Sequence, residues 1–456
     1  MIKILMVISR LAFGLLFVFA GFIKGVDPIG TALKIKEYIG VFHLDFIDFL
    51  SIPLALALTC LEFIIGVAIL KGLRMEFFSK VGLAFISCFT LLTLWIAIAN
   101  PVSDCGCFGE AIHLNNRGTF IKNLILLAAA LIIFFKRKEY HHIARPFVEK
   151  GYLVIYTLLI IGLQIYSLRN IPQIDFGIYK PGTDLIAQKQ EMQEREYETT
   201  FIYSKGGKEE TFTIDNLPDS SWTYVDAKTV LVRGAAEDAS VDFSFIDAEG
   251  NSIGNEIVER KGPVFFISIY NARALGSKAV EKIMNLADTL YSHNLKLYII
   301  SANSVEQTQA LFAPYEEEAG RTFDILYSDY KAVISFNRSS GGLTYVNSGI
   351  IIKKWARGNY PSGDIEKILD EDPEIITATT RIEEHLFAEI SLFVILCLIM
   401  IIRFFSRIIY TNSLLKKVIR KPAGEPAGEP AGEPTGEPDE EPAEEPAGGA
   451  DTPVEE

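Results

Sequence analysis

Asp104-Cys105-Gly106-Cys107-Phe108-Gly109 is the stretch on which the reading of the chain turns. It sets two cysteines one residue apart around a glycine, between two long apolar runs. A short glycine-rich stretch in that setting reads as a loop at a membrane surface. Its flanks then read as helices that cross the bilayer, which takes about 20 mostly apolar residues. Six runs meet or approach that length: 4–23, 49–70, 81–99, 120–135, 151–168 and 386–402. The first runs into Lys24-Gly25-Val26-Asp27-Pro28 and has no small-x-small cleavage pattern, so it reads as a retained span rather than a signal peptide. Segment 27–43 sets Leu33, Ile35 and Ile39 against Lys34, Lys36 and Glu37, an amphipathic linker expected along the outer interface.

Lys and Arg counts in the short loops orient the bundle. Lys71, Arg74 and Lys80 follow the second run, and Lys136, Arg137, Lys138, Arg145 and Lys150 follow the fourth. Arg403, Arg407, Lys416, Lys417, Arg420 and Lys421 follow the sixth. These loops are expected in the cytoplasm, with both termini. The Cys105 loop and the long segment between the fifth and sixth runs then face outward. In a bacterial inner membrane that side is the periplasm, where disulfides persist.

The net charge of −14 belongs mainly to one appendage: residues 422–456 hold twelve Asp or Glu and no Lys or Arg. No basic face remains to argue for nucleic acid. The tail repeats Pro-Ala-Gly-Glu without an apolar face and is expected to be disordered. Of the charges inside the runs, Arg10, Lys122 and Glu389 lie near ends and reach an interface, whereas Glu62 lies nearer a midplane. A carboxylate there is either functional or a paired group that ties helices together.

Cys60, Cys88 and Cys397 fall inside apolar runs and read as buried, inert thiols. Cys60 and Cys88 sit about 15 Å from the outer surface at 1.5 Å per residue, too deep to exchange with the loop pair. For Cys105 and Cys107 three readings stand. A ring closed across one glycine is strained and exchange-competent, it is structural, or it joins His113 in a metal site that lacks an evident fourth ligand. Asp104 beside the pair would raise a thiol pKa.

The run from Arg10 to Lys24, then Asp27-Pro28, then Glu62 with Gly66, resembles the DoxX superfamily of four-helix membrane proteins. Cys105-Gly106-Cys107-Phe108-Gly109 narrows the resemblance to its MauE-like branch, named for methylamine utilisation, over residues 1–137. The resemblance implies a redox-associated membrane protein that works with a thioredoxin-like partner on disulfides of exported proteins. It leaves open a quinone as cofactor and a quinone-linked role centred on Glu62. No metal is implied.

Residues 138–169 are expected as a cytoplasmic loop and fifth span, and the outward segment divides near residue 260. Segment 170–260 is a β-rich lead-in, with strands at 199–203, 210–214, 221–225 and 229–232 and a hairpin at 241–250 that resembles the opening of peroxiredoxin and TlpA-like proteins. Segment 261–382 alternates strands at 263–269, 296–301 and 323–327 with helices at 276–293 and 305–313. A hairpin about Asn347-Ser348-Gly349 and a helix from 365 follow. The order predicts a thioredoxin-like α/β domain. It lacks the chemistry of that fold. The place of Cys-x-x-Cys reads Tyr270-Asn-Ala-Arg-Ala-Leu-Gly276, and the place of the cis-proline reads Arg338-Ser-Ser-Gly-Gly-Leu343. The expected fold class is therefore an α-helical membrane bundle, a DoxX-like four-helix core plus two further spans, carrying an extracytoplasmic thioredoxin-like domain without thiols. Segment 383–421 is the sixth span and its basic flank. The expected partners are the bilayer and a periplasmic thiol or disulfide protein, with a non-enzymatic docking scaffold as the rival.

Overall fold

The computed structural model describes residues 2–102, 104–139, 146–193, 196–205, 208–213, 216, 218–219, 221–233, 245–319, 322–361 and 363–419. The acidic tail lies outside them. The chain opens with α1 (Ile2–Val26), α2 (Pro28–Val41), α3 (Ser51–Lys71), α4 (Met75–Ala99), α5 (Asn116–Phe135) and α6 (Pro146–Arg169). Among the described residues five helices are long and apolar enough to cross a membrane, and they coincide with the first five apolar runs. The sixth run is helical, inside α13 (Pro373–Ile419).

Small residues bring α1 and α3 together. A Cβ on Gly66 would lie 2.6 Å from the Val18 backbone nitrogen, and one on Gly21 2.8 Å from the Phe63 backbone. Within lipid, where apolar contact alone gives helices no preference for each other, such close approach is what binds them. Phe13, Phe17, Ile65, Ile69, Phe78, Leu126 and Ile133 fill the space between α1, α3, α4 and α5. Tyr156 and Ile160 of α6 close the other side against Val18, Phe63 and Val67.

Two corrections arise here. Cys88 on α4 is exposed rather than buried; Cys60 is partly buried against the α6 cluster. The segment after α1 is not a simple two-faced linker. Pro28 to Ala32 are buried, and Leu33 and Ile35 are no more covered than the neighbouring charges.

The segment after α6 holds two sheets, with α7 (Leu185–Gln193), α8 (Gly254–Val258) and α10 (Val305–Ala319) among the helices around them. β1 (Glu196–Lys205), β2 (Lys208–Thr213) and β3 (Thr223–Arg233) form an antiparallel sheet in the order β2-β1-β3. The strands expected at 221–225 and 229–232 are one, β3, which bends through a register shift opposite Ile202 and Tyr203. Of the hairpin expected at 241–250, residues 241–244 lie outside the described residues. The remainder forms a turn that bridges Ile246 to Ser252 and to Tyr327.

The second sheet contains β4 (Pro263–Ile269), β5 (Lys296–Ser301), β6 (Asp324–Tyr327), β7 (Gly342–Asn347) and β8 (Ile350–Trp355), in the order β6-β5-β4-β7-β8. β4, β5 and β6 are parallel; β7 and β8 run against them. Alternation along β4 builds two cores. Phe265, Ile267 and Ile269 face α9 (Ser277–Ser292), while Val264 and Phe266 face α11 (Tyr330–Phe336). The short α11 is missing from the sequence reading, since its seven residues are too few to show a helical period. Tyr179, Leu185 and Ile186 join the second core, so the start of the expected lead-in packs with the α/β part. The final helix breaks after α12 (Ile365–Asp370) and restarts as α13 at Pro373, where proline suits a first turn.

Candidate functional site

The site lies where the loop between α4 and α5 folds back on α1 and α2. Gly106 adopts φ +66°, a left-handed turn that other residues reach at a cost of about 1–2 kcal/mol. The turn brings Cys105 Sγ to 3.0 Å from Cys107 Sγ, both as free thiols. Cys105 is 7% exposed, packed with Ile96, Val102, Tyr38 and Leu92, whereas Cys107 is half-buried. The Tyr38 hydroxyl donates to the Cys105 carbonyl at 3.1 Å.

Asp104, beside the pair, is engaged by two other side chains. Lys34 Nζ sits 2.5 Å from one carboxylate oxygen and His113 Nδ1 2.8 Å from the other. Burial pushes this carboxyl up, but the His113 and Lys34 contacts outweigh it and hold it below its usual range. His113 is thereby turned to the carboxylate rather than to the sulfurs. Two cations stand nearer the thiols: Lys122, whose Nζ lies 4.6 Å from the Phe108 ring centre, and Lys24. The hydrogen bond from Cys105 holds the Cys107 thiol below its ordinary value, and the Lys122 and Lys24 charges add to this against the opposing effect of burial. The hydrogen bond to Cys107 and burial push Cys105 up. Of the two sulfurs, Cys107 is thus held lower and Cys105 higher.

Glu62 is a paired group. Its Oε2 accepts from Lys24 Nζ at 2.6 Å, with both side chains less than a tenth exposed. The contact of Gly21 with Phe63 sets α1 against α3 one turn earlier, which delivers Lys24 to Glu62. Lys24 also lines a cavity of about 260 Å³ together with Cys105, Gly106, Cys107, Tyr38, Ile39, Leu58, Phe89 and Leu92. Glu62 thus reaches the thiols through Lys24.

The soluble part meets this site through Arg338. Its guanidinium is 3% exposed and lies 3.1 Å from Asp27 Oδ2, before α2, and 2.5 Å from Glu110 Oε2, just past the cysteines. Asp27 also caps α2 by accepting from Gly30 N–H at 2.9 Å. Beside them Lys354 Nζ pairs with Asp175 at 2.7 Å. The loop at Arg338 faces the segment after β4: the Tyr270 hydroxyl donates to the Arg338 carbonyl at 2.8 Å, and Asn271 N–H to Ser340 Oγ at 3.2 Å.

Residues 2–136 match the family model of the methylamine utilisation protein MauE. This N-terminal part is a MauE-like membrane protein. The match suggests a methylamine-utilisation or redox setting. Residues 197–234, which cover β1 to β3, match a domain of unknown function (DUF8463). Searches of the curated proteins and of the solved structures gave no match.

In the MauE-like part the structure brings Cys105, Cys107 and, through Lys24, Glu62 to one place. Sequence reasoning missed Lys24, Lys34, Tyr38, Glu110 and Arg338. One signal for Lys24 was present, since a carboxylate deep in a span calls for a cation at similar depth. For Arg338 there was none, because 228 residues separate it from Glu110.

Proposed function

We propose that Cys105 and Cys107 form a redox pair that takes electron pairs from thiols of exported proteins on the outer face of a bacterial inner membrane. The observation that carries this reading is the approach of two free thiols to 3.0 Å on a glycine turn, one buried and the other half-buried. In the oxidised pair a substrate thiolate attacks Cys107 Sγ and Cys105 leaves as the thiol. A second substrate thiolate then displaces Cys107. The substrate gains one S–S bond, and the pair gains two electrons and two protons. A ring closed across one residue favours this direction, since strained disulfides are the oxidising ones.

The soluble segment is proposed as a thioredoxin-like domain, supported by the order β6-β5-β4-β7-β8 with the last two strands reversed. The sixth apolar run is proposed to return the chain across the bilayer, with the Lys- and Arg-rich loops in the cytoplasm. The rival scaffold would dock a partner on the thioredoxin face, at Tyr270 and the Arg338 loop. That surface is instead turned on the protein's own membrane part at Asp27 and Glu110.

Single Cys105→Ser and Cys107→Ser variants test the exchange. The expected result is a mixed disulfide with an exported protein held through Cys107 in the Cys105→Ser variant. No adduct in either variant would remove the protein-exchange reading.

A further inference from the structure

We infer that α2 is a clamp that holds the two sulfurs together, with Lys34 and Tyr38 as its positioning residues. Its purpose rests on the proposed redox pair; its geometry does not. A turn about a glycine does not fix itself, because Gly106 can leave φ +66° for other angles at little steric cost. Something outside the turn must keep Cys105 Sγ and Cys107 Sγ at 3.0 Å. Lys34 and Tyr38, four residues apart, share one face of α2. The Tyr38 hydroxyl donates to the Cys105 carbonyl at 3.1 Å. Lys34 acts twice. Its ammonium meets Asp104 at 2.5 Å, and its aliphatic stem lies across Gly106, where a Cβ would come within 2.9 Å of Lys34 Cγ and 3.3 Å of Lys34 Cβ. Asp104, Cys105 and Gly106 are thus each held by α2.

The clamp is itself fixed. Asp27 caps the first turn of α2 through Gly30 N–H and takes Arg338 of the soluble part. Lys36 is two residues beyond Lys34 and so points to the other side of the helix. It pairs there with Asp48 at 3.0 Å and lies 4.6 Å from the centre of the Tyr330 ring. One short helix therefore touches the soluble part at Asp27 and Lys36 and the thiol turn at Lys34 and Tyr38. The clamping groups keep their state through the neutral range. Burial pushes the Tyr38 hydroxyl up, so it remains a donor. Burial draws the Lys34 ammonium down, but Asp104 and Glu37 outweigh it and hold it above its ordinary value.

The test is the pH profile of iodoacetamide alkylation at Cys107, read by mass spectrometry on the reduced full-length protein in lipid nanodiscs. Lys24, Lys122, Glu62 and Cys105 face Cys107 and stay unaltered in every variant. Tyr38→Phe removes one hydroxyl and no charge. It should slow Cys107 at neutral pH about fivefold, the worth of one ordinary hydrogen bond. Lys34→Ala, which takes away stem and charge, should slow it about tenfold, equal to an upward move of the profile by about one pH unit. Lys34→Arg, which keeps both, should restore the natural profile. Lys34→Ala also leaves Asp104 with His113 alone, so its charge could act on the thiols directly. The Lys34→Ala/Asp104→Asn double variant removes that charge, and its profile should stay displaced because the stem over Gly106 is still missing. An unchanged elution profile and melting temperature would establish that each variant is folded. A Tyr38→Phe profile that overlays the natural one, or a double variant that returns to it, would overturn the inference. Displaced profiles together with no mixed disulfide in the Cys105→Ser variant would leave the clamp standing and sink the exchange reading instead.

Discussion

Two loops in this molecule invite comparison. One, Cys105 to Glu110, carries thiols on a membrane bundle. The other, formed by Tyr270 to Gly276 and Arg338 to Leu343, lies at the strand ends where the proposed thioredoxin-like fold would hold its thiols, and it has none. The second loop presents an arginine, and the acceptor of that arginine is the first loop's Glu110. The soluble part thus holds, through this arginine, the loop that carries the thiols.

The comparison breaks first at Arg338. Replacing it with Met leaves buried Asp27 and partly buried Glu110 beside one another without their cation. Loss of one partner of a buried pair costs about 3–5 kcal/mol. Arg338→Met should lower the melting temperature and expose the junction to limited proteolysis, and Arg338→Lys should restore only part of the loss because one ammonium cannot span both carboxylates. An unchanged proteolysis pattern would mean that the contact does not hold the two parts together.

The second ion pair sharpens the contrast, because it lies within the reactive part. Lys24→Met strands Glu62 and is expected to destabilise by a similar amount, about 3–5 kcal/mol. The Lys24→Met/Glu62→Leu double variant should recover most of that stability, measured by thermal unfolding in nanodiscs. A double variant no more stable than Lys24→Met would show that the stranded carboxylate is not the source of the loss.

Much of this arrangement was legible in the sequence. The spans show because lipid demands long apolar helices, and β4, β5 and the 276–293 helix show because their periods are strong. Cys105 and Cys107 show because spacing and setting coincide. The Arg338 contact was not legible, since Arg338-Ser-Ser-Gly-Gly reads as a plain turn and its partners lie in another domain. The partners of Asp104 were not legible for the same reason: adjacency to the cysteines is local, but Lys34 and His113 reach it only through the fold.

Smaller effects probe the reactive loop more finely. With Cys105 as the donor of the proton the two sulfurs share, Cys107 should be alkylated rapidly at neutral pH and slow only on acidification below the usual thiol range. Cys105→Ala removes that donor and should move the rate profile up toward the ordinary thiol value of about 8.5. Identical profiles would show that the thiols do not share a proton.

The smallest expected effect is at the docking edge. Burial and then the Asp175 charge push Glu384 up to about 7. A carboxyl raised in the folded state binds more protons there than when released. Its contribution therefore falls as pH rises from the ordinary carboxylate value of about 4.3 toward the folded value. Glu384→Gln should flatten the dependence of melting temperature on pH across that window. A slope that persists unchanged would assign it to other groups.

The redox state of Cys105 and Cys107 in growing cells tests the central claim most directly. A membrane-permeant maleimide reagent that adds a fixed mass per thiol would separate dithiol from disulfide on a gel. The account predicts a mixture that shifts toward dithiol when oxidant is withdrawn from the outer side of the membrane, and back when it is restored. A pair fixed in one state under both conditions would contradict it.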